Sequence, residues 1–315
     1  MTSASIQRSD SQMAPPRVLE RAYDDPDRVL ELIRRGAPYK SITAVQKEPE
    51  GTPCAPWFRN FWALGGKVIF DGVEPVFNNC NFIEAAKENF GAKVVKPLAM
   101  MTNLNAPAPA AGPHLDLPFF RGAHKREVPS WLLAPMGYSG LFQHWAVPVA
   151  SAISWFYTGA GGAFEYWPDG PDRPSQRVEG LSANQAVVAD NEYMYHRVDA
   201  IGEPRQYLPG NQVPYEAMLA LDGDTWVIRA GDETLAAYAF GDMRLSVLWK
   251  AYCFADEAEE RAFNDGSDNL TPRMIVELFC KDMARRGLRV EMPDDLDGHS
   301  PWANAVIETY RPAMS

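Results

Sequence analysis

The segment GPHLDLPFFRG at residues 112–122 places a histidine and an aspartate two positions apart, His114 and Asp116, within an apolar run. Pro113 and Pro118 bracket this pair and disfavour a helix there. In an extended chain, residues i and i+2 point to the same side, so the imidazole and the carboxylate can bind one ion. The segment therefore predicts a β-rich fold that carries a metal site.

A third ligand has to come from a distant part of the chain, which contains only five histidines. His196 is the best candidate because it ends the β-like run ANQAVVADNEYMYHRV (183–198), 80 residues after Asp116. Two histidines and one carboxylate leave open positions and suit non-haem Fe(II). The plainer alternative is a chance HxD tripeptide. The sequence contexts favour a solvated His124, a core or pocket-edge His144 and a His299 in a polar turn.

Composition narrows the classes of function. Hydrophobic residues make up 46% of the 315 residues, and 15 Phe, 12 Tyr and 9 Trp indicate a β-rich interior or an aromatic-lined pocket. The net charge of −11, without a basic stripe, argues against nucleic acid and anionic membranes as partners. We find no signal peptide and no apolar run of membrane-spanning length, which predicts a cytoplasmic protein.

Four scattered cysteines, without a CxxC pair, fit reduced thiols, although two disulfides remain an alternative. Residues 1–16 are predicted to be a disordered tail, and 17–315 a single domain. Its β region spans about 92–254, with strands also expected at GGKVIF and VEPVF within 65–77. Helices are predicted at 24–36, 81–91 and 271–287, the last capped by Thr271 and followed by proline.

Three motifs together resemble the Fe(II)/2-oxoglutarate-dependent dioxygenase superfamily, with a phytanoyl-CoA-hydroxylase-like general pattern. They are HLD at 114–116, VVADNEYMYHRV at 187–198 and RLS at 244–246, and the Gly-rich GGAFEYWPDG at 161–170 fits the same pattern. The resemblance implies a mainly β fold with flanking helices around a double-stranded β-helix (jelly-roll, cupin-like) core. It also implies an oxygenase that uses Fe(II), 2-oxoglutarate and O₂ to hydroxylate or otherwise oxidise a small organic substrate, giving succinate and CO₂.

By the same resemblance, Arg244 and Ser246 would bind the far carboxylate of 2-oxoglutarate. Arg244 follows His196 by 48 residues, a longer interval than the 10–15 residues common in the family, so we infer an insertion at about 207–231 that could cover the site. Arg205 and Arg229 are the rival arginines. Asn103 or Asn105 is the candidate donor to the near carboxylate.

The candidate substrate-lining residues are Phe119, Phe120, Arg121, Trp167 and Tyr193, with a core role as the alternative for the two phenylalanines. Two rival functions stay open. One is a cupin-like metal dioxygenase or isomerase that needs no 2-oxoglutarate, and the other is a non-catalytic β-helix binding protein. Hydroxylation, desaturation, epimerisation and cyclisation share one set of ligands, and neither substrate identity nor oligomeric state follows from the sequence.

Overall fold

The computed structural model describes residues 14–123, 128–178 and 183–311. Most of the predicted N-terminal tail, residues 1–13, and His124 lie outside the described residues. All four cysteines are free thiols. No helix in the described ranges is both long and apolar enough to cross a membrane.

The described part of the chain contains fourteen strands and eight α-helices. The N-terminal elements are β1 (Arg17–Leu19), α1 (Pro26–Arg35), β2 (Tyr39–Ser41), α2 (Ile42–Gln46), β3 (Trp57–Leu64), β4 (Lys67–Val68), α3 (Glu74–Phe77) and α4 (Cys80–Phe90). The central elements are β5 (Val94–Asn105), α5 (Ser130–Ser139), β6 (Val149–Phe156), β7 (Phe164–Trp167), β8 (Gln176–Val178), β9 (Gln185–Ala189) and β10 (Tyr195–Val198). The remaining elements are β11 (Met218–Asp222), β12 (Thr225–Ala230), β13 (Glu233–Ala239), β14 (Arg244–Phe254), α6 (Glu257–Asp265), α7 (Pro272–Arg285) and α8 (Pro301–Thr309).

These strands form two antiparallel sheets. The large sheet has the order β1-β9-β6-β14-β5-β3-β2-β11-β12-β13, with β4 paired to β3, and the small sheet has the order β10-β7-β8. An aromatic cluster that includes Trp155 of the large sheet and Phe164 of the small sheet joins the two. The prediction of a mainly β fold with flanking helices is therefore confirmed.

Strand β14 lies at the centre of the large sheet between β5 and β6, and its two faces have different roles. Leu245, Val247 and Trp249 are buried in the core that α1 and α4 cover on one side of the sheet. Because strand side chains alternate, Arg244 and Lys250 occupy the opposite face. This second face carries the candidate site.

Helix boundaries follow local capping signals. Thr271 accepts a hydrogen bond from the Met274 amide at 3.3 Å, and Pro272 occupies the first turn of α7. Asp25 caps α1 by accepting from the Arg28 amide at 3.0 Å. The helices predicted around 24–36, 81–91 and 271–287 are thus present within one or two residues of their expected ends.

Two parts of the N-terminal region differ from expectation. The predicted strand VEPVF contains the short helix α3, in which the Phe77 amide donates to the Val73 carbonyl at 2.8 Å. The N-terminal flank is also not purely helical, because β1, β2 and β3 join the large sheet. Strand β3 pairs with the otherwise open edge of β5, so its backbone polar groups are satisfied by a neighbouring strand rather than by a helix.

The inferred insertion between β10 and β14 is a pair of hairpins, β11–β13. Strand β11 pairs with β2, so these hairpins extend the large sheet at its edge. The expectation that the insertion could cover the site stays a prediction. Backbone pairing with a free sheet edge satisfies more hydrogen bonds than a loop lying over the site would.

Candidate metal centre

His114 and His196 lie directly opposite one another in an isolated antiparallel bridge. The His114 amide donates to the His196 carbonyl at 3.0 Å, and the His196 amide donates to the His114 carbonyl at 3.1 Å. Directly paired residues project their side chains to the same face. The two ring centroids are consequently 4.5 Å apart.

Both imidazoles are held in the tautomer that a metal requires. Nδ1 of His114 lies 3.1 Å from the carbonyl of Gly112, and Nδ1 of His196 lies 3.0 Å from the carbonyl of Met194. Since a carbonyl only accepts, each Nδ1 carries the proton and each Nε2 keeps its lone pair. Metal-bound histidines are commonly oriented by such hydrogen bonds.

Asp116 completes the cluster. Its backbone amide donates to the Asn191 carbonyl at 2.8 Å, in the turn that precedes β10. One potential ligand atom from each of His114, Asp116 and His196 lies within 4.8 Å of the others. It is the one group of at least three histidine, cysteine or acidic side chains with such spacing that we find in residues 14–123, 128–178 and 183–311.

The protonation states favour cation binding. Burial lowers the pKa of His196 to about 4, despite the opposing effect of Asp116, so the ring is neutral near pH 7. Burial by itself raises the pKa of the Asp116 carboxyl, but the Lys250 ammonium and the two histidines outweigh burial and hold that pKa below its usual range. The site therefore combines the neutral imidazole of His196 and the anionic carboxylate of Asp116 with a second imidazole, that of His114.

Lys250 is a site residue that the motif analysis did not identify. Its Nζ lies 2.8 Å from Oδ2 of Asp116, and its side chain is only 11% exposed. Burial by itself lowers the pKa of this ammonium, whereas Asp116 and Glu192 raise it above its ordinary value. A lysine at an inward-facing position of the apolar strand RLSVLWKAYCF was the signal available in the sequence.

We expect Lys250→Met to reduce the stability of the metal-free protein by about 3 kcal/mol, because it leaves the Asp116 carboxylate without its cation in a partly buried site. Urea denaturation in the presence of a chelator measures this loss. Added Mn²⁺ should stabilise the variant more than the wild type, since the ion supplies the missing positive charge.

Lys87→Met is the matched control, because Lys87 forms an exposed pair with Glu84 on α4. The Lys87 variant should lose less than about 1 kcal/mol of unfolding free energy. Equal stability of the Lys250 variant and the wild type would contradict a structural role for the Lys250–Asp116 pair.

Arg244 is 2% exposed and lies on the same face of β14 as Lys250. Its Nε donates to the Gly162 carbonyl at 2.9 Å, and its guanidinium lies 5.6 Å from the Trp155 ring centroid. Nη2 is buried without a hydrogen-bond partner, and no carboxylate within the described ranges forms an ion pair with this side chain. Burial lowers the pKa of Arg244 to about 9, which still leaves the guanidinium charged near neutral pH.

Glycine at position 162 is needed for this arrangement. Gly162 has a φ of +71°, and a Cβ there would lie 2.9 Å from the Tyr157 ring and 3.2 Å from Cδ of Arg244. A larger residue would therefore push against the arginine. Ser246, two positions along β14, donates its hydroxyl to the Asn103 carbonyl at 3.2 Å.

Arg59 is a second site residue that the motifs did not indicate. It lies on β3 opposite Asn103, whose Oδ1 accepts from Arg59 Nε at 2.7 Å and from Trp57 Nε1 at 3.2 Å. Burial lowers the pKa of Arg59 to about 10, and Asp116 opposes this effect. The Asn103 oxygen is thus engaged in holding two neighbours, and Asn105 lies opposite Arg244 in the sheet.

The rival arginines occupy different surroundings. Arg205 is exposed in a short 3₁₀ turn at Pro204–Gln206, and Arg229 is exposed on β12 at the far edge of the large sheet. Among these three arginines, Arg244 alone is buried on the face that carries Lys250.

Two of the candidate substrate residues belong to a different part of the molecule. Phe120 is 1% exposed and packs against Phe142 in the cluster formed with α5, α7 and α8. Arg121 donates to the His144 carbonyl at 2.8 Å and pairs with Asp268 at 3.0 Å. The core role given as the alternative for Phe120 agrees with this packing, and a role of Phe120 or Arg121 in binding substrate stays a prediction.

Trp167 also faces away from the centre. It pairs with Tyr195, whereas His196 pairs with Tyr166, so alternation places Trp167 on the opposite face of the small sheet. Phe119 stays beside the site, with its ring 5.7 Å from that of Tyr252. Tyr193 lies in the turn that supplies the Asn191 carbonyl to Asp116, and its role as a substrate residue stays a prediction.

No protein-family model matches the chain, and no curated protein matches it. Solved structures do. A 2OG-Fe(II) oxygenase family oxidoreductase from Burkholderia pseudomallei is 13% identical, with a TM-score of 0.39, over 76% of this chain and 84% of that one. A prolyl-4-hydroxylase from Pseudomonas putida is 12% identical, with a TM-score of 0.39, over 76% and 93%.

A prolyl hydroxylase from Trichoplax adhaerens, in complex with a peptide of the hypoxia inducible factor oxygen degradation domain, is 10% identical. Its TM-score is 0.42, over 81% of this chain and 88% of that one. The alignments with the first two structures each cover about three quarters of this chain. At these TM-scores the function has to be inferred from the site itself.

Proposed function

We propose that this protein is a non-haem Fe(II)- and 2-oxoglutarate-dependent oxygenase that oxidises an unactivated C–H bond of a small organic substrate. The observation that carries this proposal is the presence of two sites on one face of the large sheet, one suited to a cation and the other to an anion. His114, Asp116 and His196 form a donor set for a divalent cation, and buried Arg244 forms an anion site that no carboxylate of the described residues neutralises.

The donor set fits Fe(II). Two imidazole nitrogens and one carboxylate oxygen match the ligands of non-haem iron oxygenases, in which three positions stay open for other molecules. Each imidazole already directs Nε2 away from its backbone hydrogen bond. In our proposal, His114, Asp116 and His196 hold the iron, and Lys250 engages the Asp116 oxygen that the iron does not use.

The surroundings of Arg244 fit the far carboxylate of 2-oxoglutarate. Only Nε of the guanidinium is bonded to a carbonyl, so its outer edge is available as a two-pronged donor. A buried cation without an anionic partner is costly unless a ligand supplies the charge. Ser246 is on the same face, and its hydroxyl would exchange the Asn103 carbonyl for the carboxylate when the ligand binds. Asn103 or Asn105 is the proposed donor to the near carboxylate.

When bound, Fe(II) with 2-oxoglutarate and O₂ supplies the oxidising power for the C–H bond, with succinate and CO₂ as the other products. The chain itself fixes positions and charge. The Nδ1 protons of His114 and His196 are bonded to carbonyls, which leaves each Nε2 available to bind the cation. Arg244 begins β14 and Lys250 lies six residues further along the same face, and the aromatic cluster between the sheets would limit access of water from that side.

The arrangement of the strands supports a double-stranded β-helix core as part of the same proposal. Strands β5, β6, β9 and β14 belong to the large sheet and β7, β8 and β10 to the small sheet, and the two sheets meet across the Trp155–Phe164 cluster. Residues 17–315 would then form one oxygenase domain. The orphan guanidinium favours this function over a cupin-like enzyme that needs no 2-oxoglutarate and over a silent binding protein.

The direct test is anaerobic loading with Fe(II), followed by 2-oxoglutarate and then O₂. We expect a visible charge-transfer band when 2-oxoglutarate binds, and release of succinate and CO₂ after O₂ is admitted. His114→Ala should show neither signal. Normal iron binding without a 2-oxoglutarate-dependent band, or without succinate, would contradict the proposal and favour the cupin-like alternative.

A further inference from the structure

A cleft of about 580 Å³ lies at the end of the site-bearing face, where α6 crosses the C-terminal end of β14. Its size falls within the range of small-molecule pockets, about 300–1,000 Å³. The β3–β4 turn, the start of β5 and helix α6 form its other walls. None of the motifs discussed above accounts for this cleft.

Aromatic rings dominate one corner of the cleft. The centroid of Phe263, on α6, lies 4.9 Å from that of Tyr252 and 5.3 Å from that of Phe254, and Phe77 contributes another ring to the lining. Tilted rings at such distances leave π-faces and edges on which another planar ring can stack. This corner therefore suits a flat aromatic group.

The rim of the cleft is polar. Lys96 of β5 pairs with Glu260 of α6 at 3.0 Å, and both line the cleft. A ligand with a planar apolar body and a polar substituent would match an aromatic base and a charged rim. Such convergence of apolar and polar groups is typical of ligand sites.

Tyr252 connects the cleft to the metal centre. It lies two residues after Lys250, so both side chains project from the same face of β14, and Lys250 contacts Asp116. The Tyr252 ring meets Phe119 edge to face at 5.7 Å, and Phe119 follows Asp116 by three residues. Tyr252 thus contacts both the cleft and the segment that carries His114 and Asp116.

We propose that this cleft binds the planar aromatic part of the substrate and directs an attached C–H bond toward the His114–Asp116–His196 centre. The inference rests on the oxygenase function proposed above and specifies its substrate class as aromatic small molecules with a polar substituent. Phe263 and Tyr252 are then the residues that determine specificity.

The test uses the full chain and 5-fluoroindole as a probe, observed by ¹⁹F NMR in the absence of metal. We expect saturable broadening of the probe signal. Phe263→Ala should raise the dissociation constant about fivefold, the effect of losing about 1 kcal/mol of ring contact. Asn264→Trp, on the exposed side of α6, should fill the cleft and prevent binding even if the alanine variant is poorly folded.

Phe240→Ala is the matched control, because Phe240 stacks on Trp226 at the edge hairpins, away from the cleft. It should bind the probe like the wild type. Absence of probe binding to the wild type, or equal binding by the Phe263, Asn264 and Phe240 variants, overturns the assignment of the cleft.

Mn²⁺ then tests whether the probe bound in the cleft lies close to the metal centre. A paramagnetic ion bound at the triad should broaden the signal of the bound probe further in the wild type but not in His114→Ala. Electron paramagnetic resonance without the probe reports Mn²⁺ binding independently. Normal Mn²⁺ binding without extra broadening overturns only the present inference, whereas failure of Mn²⁺ to bind overturns the proposed function.

Discussion

Replacing His196 with alanine should weaken the binding of Fe(II) or Mn²⁺ by at least about 100-fold. Loss of a residue that merely orients a metal ligand already costs about 10- to 100-fold, and His196 is proposed to be a ligand itself. Calorimetric titration with Mn²⁺ measures the affinity directly. Asp116→Ala should have a comparable effect, because it removes the only anionic donor of the group.

Because His196 is buried, its replacement also affects the stability of the fold. A second variant is therefore needed to separate loss of the metal ligand from loss of structure. His114 is exposed, and His114→Ala should lose the metal while keeping its folded structure by circular dichroism. His144→Ala is the control, since that ring is exposed and bonded to Asp268 at 2.9 Å. If His144→Ala lost the metal and His196→Ala kept it, the proposed triad would be wrong.

Replacing Arg244 with alanine should raise the dissociation constant for 2-oxoglutarate about 30- to 5,000-fold, equivalent to about 2–5 kcal/mol. The reason is that the far carboxylate would enter a buried pocket without its cation. Iron affinity should stay near that of the wild type, because Arg244 contacts none of the three metal ligands in the structure. Anaerobic titration of the Fe(II)-loaded protein with 2-oxoglutarate separates the two effects.

Arg244→Lys keeps the charge and most of the volume, so it is a control for a general folding defect in Arg244→Ala. It should recover only part of the affinity, since an ammonium lacks the two-pronged edge of a guanidinium. Ser246→Ala should cost about 1 kcal/mol, the usual contribution of one hydroxyl donor. Arg205→Ala is the exposed control, and a large effect there with none at Arg244 would refute the assignment.

Local patterns allowed much of the fold to be predicted. The caps of α1 and α7 and the run of β14 depend on neighbours a few residues away, and these elements lie where the sequence indicates. The segment VEPVF was misread because its short apolar run fits a strand as well as one helical turn. The strands of the N-terminal flank were missed because their pairing partners lie far along the chain.

The candidate site also contains residues that local patterns indicate and residues whose orientation depends on distant contacts. HxD spacing and the RLS motif mark residues that a strand must project to one side, so His114, Asp116, Arg244 and Ser246 could be selected from the sequence. The directions of the Phe120 and Trp167 side chains could not be predicted, because a shift of one residue reverses the face to which a side chain points. Their direction depends on the strand or cluster against which they pack.

The sequence by itself determined which residue types are available for metal chemistry and which of them share a strand face, because these properties are local. Only the tertiary structure decided that His114 pairs with His196 and that Lys250 reaches Asp116, which is 134 residues earlier in the chain. The same long-range packing buried Arg244 without a carboxylate partner among the described residues and left Arg205 exposed. The register of the strands determines these contacts, and burial from solvent determines the electrostatic surroundings of the charged groups. Neither is encoded in any short segment.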